Sequence, residues 1–215
     1  RIPGTWRLER SMTAPPRPVD IQTPRNEIIA YVQGILDGDG YVDRNRIGLT
    51  VKDKIFSDSF IQAMIQLGYS PQKVRIIKRN QSTPLGHSNS VLYQARVTIG
   101  VDGLKEIEEF QPTAEATAMA YLRGLYESDG GYYIIRYPDR ECHQLQIWNG
   151  NPGVLTKAEH LSKLIDVHFT RRQDNFCEVI YNQRRIEITR FLEKVQPCMK
   201  RGERRRHLLG EDYRP

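Results

Sequence analysis

Val32-Gln33-Gly34-Ile35-Leu36-Asp37-Gly38-Asp39-Gly40 returns 90 residues on as Leu122-Arg123-Gly124-Leu125-Tyr126-Glu127-Ser128-Asp129-Gly130. The match extends upstream, where Ala30-Tyr31 recurs as Ala120-Tyr121. A repeat at fixed spacing sets the unit of folding, so it governs how the rest of the chain is read. Small residues recur every fourth position: Ala30, Gly34 and Gly38 in one copy, Ala120, Gly124 and Ser128 in the other. Such residues share one helix face, and two such faces let helices meet backbone to backbone. Gly within a helix costs about 1 kcal/mol relative to Ala. Its use at matched positions therefore points to packing. Gly34, Gly38, Gly124 and Ser128 are the expected contacts of two motif helices paired across a pseudo-twofold axis.

Each copy ends in carboxylates, Asp37 and Asp39 in the first, Glu127 and Asp129 in the second. A negative charge at a helix C-terminus opposes the macrodipole. Pairing the helices brings two such ends together, and close carboxylates raise each other's pKa. A divalent cation relieves both conflicts, and hard oxygen ligands suit Mg²⁺. The Asp-Gly-Asp-Gly run does not fit a calcium loop, because Tyr41 and Val42 stand where that pattern needs Asp or Asn and Gly.

Outward from the motif, Asn26 reads as an N-cap for the first helix, which carries Ile28, Ile29, Val32, Ile35 and Leu36. Tyr41–Asp43 forms a hairpin with a strand whose Ile47, Leu49 and Val51 face the core and whose Arg46, Thr50 and Lys52 face away. A helix over about Ser57–Leu67 ends at Gly68. Strands near Lys73–Arg79 and Val91–Ile99 flank a polar loop at Asn80–Asn89, and a helix over about Leu104–Phe110 closes the unit. The second unit repeats the order. Helices are expected near Thr113–Glu127, Val154–Ile165 and Arg185–Val195. Strands are expected near Gly131–Tyr137, Cys142–Asn149, Val167–Arg172 and Phe176–Asn182. The result is an α+β fold, a pseudo-twofold tandem αββαββα repeat with two antiparallel sheets. The expected divisions are an extended Pro/Arg-rich arm at 1–25, half-domains at 26–112 and 113–199, and a basic tail at 200–215.

The chain has 215 residues and a net charge of +6, from 32 Lys+Arg against 26 Asp+Glu. A basic balance suits a polyanionic partner. Cys142, Cys177 and Cys198 contain no CxxC pair and fit no disulfide framework. The five His show no ligand spacing, and there is no nucleophilic triad. No apolar run reaches membrane length, and no secretory signal is seen. An intracellular protein is expected, cytoplasmic in a prokaryotic host or organellar in a eukaryote. The first residue is not Met, and Met12 offers a start.

Alternation along the strands exposes a basic and amide-rich set: Arg46, Thr50, Lys73, Arg75, Arg79, Gln94, Arg96 and Thr98, then Arg136, Gln144, Gln146, His168, Thr170 and Arg172. A β-surface carrying such donors can enter the major groove and read base edges.

Val32–Gly40 and Leu122–Gly130 resemble the two LAGLIDADG motifs of single-chain homing endonucleases, and the element order agrees over roughly residues 26–200. The resemblance implies a monomeric, sequence-specific double-strand DNA endonuclease with a DNA-binding saddle. Such an enzyme recognises a long, asymmetric site, cuts both strands across the minor groove and leaves 3′ overhangs, as in intron homing. It implies metal ligation by Asp39 and Asp129 with the carbonyls of Gly38 and Ser128. Mg²⁺ is the expected cofactor, with Mn²⁺ or Ca²⁺ as substitutes. By the same resemblance, Lys52 and Asn149 are the polar residues at the strand ends, and Lys200 or Arg201 is the basic support after the last helix. Thr113 and Ala114 stand where the first unit would carry its counterpart. Two alternatives stay open: an intron RNA maturase, and a catalytically inactive DNA-binding regulator on the same scaffold. The sequence shows neither a nucleophile at residue 1 nor a terminal His-Asn, which weighs against an intein.

Overall fold

A computed structural model describes residues 23–83, 86–136, 139–174 and 177–197. The arm up to residue 22, Cys198, Lys200, Arg201 and the basic tail lie outside the described residues. The first unit runs α1 (Arg25–Asp37), β1 (Gly40–Asp43), β2 (Arg46–Val51), α2 (Lys54–Gln66), β3 (Pro71–Thr83), β4 (Gly86–Thr98) and α3 (Gly100–Glu108). The second runs α4 (Glu115–Asp129), β5 (Gly130–Arg136), β6 (Glu141–Asn149), α5 (Pro152–Lys163), β7 (Thr170–Gln173), β8 (Glu178–Asn182) and α6 (Arg185–Val195). Each unit is αββαββα, and the two antiparallel sheets have matching orders, β1-β2-β4-β3 and β5-β6-β8-β7.

Several element ends differ from the sequence reading, each for a local reason. Helix α1 starts at Arg25 because the Pro24 carbonyl accepts from the N–H groups of Glu27 and Ile28. Helix α2 starts at Lys54, not Ser57, because the Asp53 carboxylate accepts from Ile55 N (2.9 Å) and Phe56 N (3.3 Å). Helix α4 starts at Glu115, where Thr117 Oγ1 accepts from Ala114 N, and continues through Asp129. The polar stretch Asn80–Asn89 is mostly strand, since the β3–β4 ladder continues to Thr83↔Gly86. Beyond Tyr93 the ladder is two-stranded, and its polar residues with Pro84 and Gly86 give it the composition of a loop. Strand β7 is short because the chain before it is held elsewhere: His168 N donates to Glu187 Oε2 (2.7 Å).

One face of each sheet carries the core. Ile47, Leu49, Ala95 and Val97 pack with Val32, Ile35, Phe60, Met64 and Ile107. Leu145, Ile147 and Ile180 pack with Leu122, Leu125, Leu155, Leu161 and Phe191. Each fully buried aliphatic side chain contributes about 1.5–3 kcal/mol. The cores meet at the motif helices: Ala30 sits in the second core, and Ala120 packs against both.

The motif helices are interlocked. A Cβ on Gly34 would lie 2.1 Å from the Tyr121 carbonyl oxygen and 2.9 Å from Leu125 N. A Cβ on Gly124 would lie 2.2 Å from the Tyr31 oxygen and 2.9 Å from Ile35 N. These contacts mirror one another across the repeat. The predicted small-residue face is thus the α1–α4 seam, closed to any larger side chain.

Candidate functional site at the paired helix ends and the open sheet faces

The seam runs down to the carboxylates. A Cβ on Gly38 would meet Ser128 Cβ at 2.4 Å and Asp129 Oδ2 at 3.3 Å. The neighbours of Asp39 and Asp129 are therefore in contact, and both helices end at one place. Asp39 is exposed, and Asp129 is half-buried. Asn149, the last residue of β6, donates from Nδ2 to Asp129 Oδ2 (2.7 Å) and to the Asp37 carbonyl (2.8 Å). Its own Oδ1 accepts from Asn151 N (2.8 Å). Asn149 thus joins the end of α1 to the end of α4.

The first unit lacks this joint. Gly40 pairs with Leu49 and Gly130 with Ile147, so two residues further on Val51 matches Asn149. The helix caps Asp53 and Asn151 give the same alignment. Val51, not Lys52, is therefore the counterpart of Asn149. Lys52 is exposed and matches Gly150.

Two polar clusters cross the seam. Tyr31 donates to Glu127 Oε2 (2.5 Å), and Tyr121 donates to Asp37 Oδ2 (2.6 Å). Each tyrosine reaches the acidic residue of the other motif. Their cations differ. Glu127 also accepts from Arg123 Nε (2.9 Å), one turn back on α4. Asp37 is faced by Lys157 of α5, whose Nζ lies 3.6 Å from Oδ2 and 4.2 Å from the Tyr121 ring centroid. Burial, followed by the charge of Asp37, holds the Tyr121 hydroxyl far above the usual phenolic range, so it stays a donor. Burial pushes the Lys157 ammonium down, and Asp37 opposes that shift.

The open faces follow from the registers. Arg46, Gly48 and Thr50 of β2 align with Thr98, Arg96 and Gln94 of β4, and Gln94 and Arg96 align with Arg75 and Lys73 of β3. Arg79 falls in the same alternation. All eight first-unit residues of the expected recognition set hold register positions that alternate with the core-facing ones. Arg96 Nε donates to Tyr41 Oη (2.7 Å) across Gly48, and Gln94 Nε2 donates to Thr50 Oγ1 (3.2 Å). A side chain on Gly48 would collide with the Tyr41 ring, its Cβ lying 2.4 Å from Cζ.

The second face departs from expectation. Gln144 and Gln146 are on it but are buried, at 1% and 6% exposure. Gln144 Oε1 accepts from Gln183 Nε2 (2.9 Å). Arg136 aligns with Glu141, in the alternation of Leu145 and Ile147, so its register position belongs to the opposite face. Thr170 and Arg172 share the open face, aligned with Tyr181 and Val179. His168, just before β7, is exposed with its ring nitrogen Nδ1 3.7 Å from Glu187 Oε2. The sequence reading missed the aromatic groups here. Tyr133 stands edge-on to Trp148 (centroids 5.5 Å apart), and Arg172 lies over Tyr181 (5.1 Å).

The donors at the helix ends suit a hard cation. The described residues hold no cluster of three or more His, Cys, Asp or Glu. Two aspartates with the adjoining Gly38 and Ser128 carbonyls match the needs of Mg²⁺, which takes few protein carboxylates and completes its shell with waters and phosphate oxygens. Among the described residues no helix is long and apolar enough to cross a membrane.

No protein-family model and no curated protein matches the sequence. Solved structures do match. The N-terminal LAGLIDADG domain of DUF199/WhiA aligns with TM-score 0.61 and 16% identity over 85% of this chain and 90% of that one. The homing endonuclease I-WcaI bound to its DNA recognition sequence aligns with TM-score 0.58 and 13% identity, covering 85% of this chain and 86% of that one. I-DmoI in complex with DNA and Mn aligns with TM-score 0.56 and 19% identity, covering 80% of this chain and 97% of that one. Other I-DmoI complexes hold DNA in the presence of Mg or Ca. The interlocked motif helices, the repeated sheet order and these alignments converge: the chain has the LAGLIDADG fold.

Proposed function

We propose that the chain is a metal-dependent endonuclease that binds a long, asymmetric duplex DNA site across both open sheet faces. It hydrolyses one phosphodiester per strand across the minor groove, leaving 3′ overhangs. The fold alone does not carry this reading, because the WhiA domain shares it. The convergence of two carboxylate-bearing helix ends, set by the Gly38–Ser128 contact, carries it.

Asp39 and Asp129, with the Gly38 and Ser128 carbonyls, would hold Mg²⁺, and Mn²⁺ or Ca²⁺ would occupy the same ligands. The metal, when bound, supplies charge stabilisation at phosphate oxygens and lowers the pKa of water. Asn149 orients the Asp129 carboxylate and fixes the end of α1 beside it. Lys52, just after β2, and Lys200, which follows α6 in the sequence, stand as candidate supporting cations. The donors on β2, β3 and β4 suit major-groove base edges and phosphates. Homing endonucleases of this fold held on DNA support duplex DNA as the partner.

A randomised duplex library, incubated with the full chain and Mg²⁺ and sequenced at new ends, tests the proposal. A single cleaved motif with 3′ overhangs is expected. Binding of one duplex motif without new ends would instead establish an inactive DNA-binding protein. Tight binding of a structured intron RNA in place of duplex would establish the maturase.

A further inference from the structure

Lys157 sits where the first unit has nothing comparable. Counting from the aligned caps Asp53 and Asn151, its counterpart is Ser59, which is buried and bonded to the Ile55 carbonyl (2.9 Å). Lys157 projects from α5 into the angle between the end of α1 and the middle of α4. Its side chain is 27% exposed, and its ammonium is bracketed by the Asp37 carboxylate at 3.6 Å and the Tyr121 ring at 4.2 Å. Both Tyr121 and Lys157 hold Asp37 through its carboxylate. Asn149 holds the same residue through its carbonyl, while its amide nitrogen also donates to Asp129. Lys157, Asp37, Asn149 and Asp129 therefore form one connected path, ending on the carboxylate of the second motif.

We infer that Lys157 is a positioning residue: by fixing Asp37 it fixes the carbonyl that orients Asn149, and so sets the aim of the Asp129 carboxylate. This rests on the nuclease reading for its kinetic consequence but not for its structural one. The first unit has Val51 in place of Asn149 and Ser59 in place of Lys157, so it cannot build the same path. Control by Lys157 is confined to the strand served by Asp129. Groups that orient ligands from behind commonly change metal affinity or activity about 10–100-fold when removed.

The test compares Lys157→Met, which keeps length and loses charge, with Lys157→Arg, which keeps charge. Two readouts are used. One is hydrogen exchange of the Asn149 side-chain amide in metal-free, DNA-free protein, followed by NMR. The other is strand-resolved cleavage of the selected duplex at varied Mg²⁺. Lys157→Met is expected to speed exchange at Asn149. It is also expected to slow cleavage of one strand about 10–100-fold, raise the Mg²⁺ needed for that strand and accumulate nicked duplex. Lys157→Arg is expected to restore all four. If Lys157→Met does not fold, as judged by its melting curve, Lys157→Gln takes its place. Unchanged Asn149 exchange in the folded neutral variant would overturn the inference, as would equal slowing of both strands. If the wild-type chain cuts no duplex, the nuclease reading fails, while the exchange measurement still decides the role of Lys157.

Discussion

On the open face of the first sheet, Arg96 stands on β4 between Gly48 and Lys73, with Thr50 and Gln94 beside it. On the second sheet the matching positions hold Tyr181, Gln146, Thr170, Trp148 and Val179. Only Arg75 and Arg172 correspond as cation to cation. One backbone plan therefore carries two surfaces. The first presents guanidinium groups, with Tyr41 ordering Arg96. The second presents aromatic rings, with its amides Gln144 and Gln146 withdrawn from solvent. The core-facing alternation is what the repeat preserves. The open alternation differs between the two sheets, because the apolar core that sets residue type on the other face does not constrain it.

The same contrast appears at the seam, and its largest test lies there. Arg123→Leu takes from Glu127, whose side chain is fully buried, the guanidinium that it pairs with at 2.9 Å, and leaves its tyrosine partner in place. Removing one partner of a buried ion pair costs about 3–5 kcal/mol. Chemical denaturation should therefore show a large loss for Arg123→Leu, and a smaller one for Lys157→Met, whose partner Asp37 is partly exposed. Equal losses would show that the two clusters are energetically alike.

On the sheets, Arg96→Ala should weaken binding of the selected duplex by about 1–3 kcal/mol and relax base preference at one position. Its log–log salt slope should fall by about 0.9 if the guanidinium meets a phosphate instead. Tyr181→Ala, at the matching place on the other face, should leave the salt slope unchanged. A fall in slope for Tyr181→Ala would erase the distinction.

The smallest effect concerns pH. Burial alone would raise the Glu187 carboxyl. The His168 N–H, Arg184 and Asn182 outweigh it, holding the pKa below the ordinary 4.5. A carboxylate with a depressed folded pKa contributes stability above its unfolded value and loses it as pH falls through the folded one. Stability should decline below pH about 4.5 and flatten in Glu187→Gln, as read by denaturant midpoints. The first unit has Val97 in place of Asn182, so this acid-sensitive corner belongs to the second unit.

The repeat made most of the fold legible. Gly34 and Gly124 had to be small because a backbone lies against each, and that requirement is written in residue type. Tyr31 and Tyr121 repeat at the same spacing, a signal for the cross-seam bonds that the sequence reading did not use. The resemblance pairs Lys52 with Asn149, whereas strand register pairs Val51 with it. The hairpins differ in length, β1 having 4 residues and β5 having 7, so linear spacing does not align the strand ends and register does. Alternation placed Gln144 and Gln146 on the correct face, but their burial is a tertiary outcome that strand periodicity does not contain. Lys157 had no repeat partner and no motif, so only the packing of α5 against the seam brings it to Asp37.

The most direct measurement on the paired helix ends is cleavage of the selected duplex by Asp39→Asn and Asp129→Asn, with Ca²⁺-supported binding measured alongside. Each substitution should keep binding and reduce double-strand cleavage at least about 100-fold, the scale of losing a charge-stabilising group at a reacting phosphate. Wild-type cleavage by either variant would contradict the assignment of the paired helix ends as the cutting site.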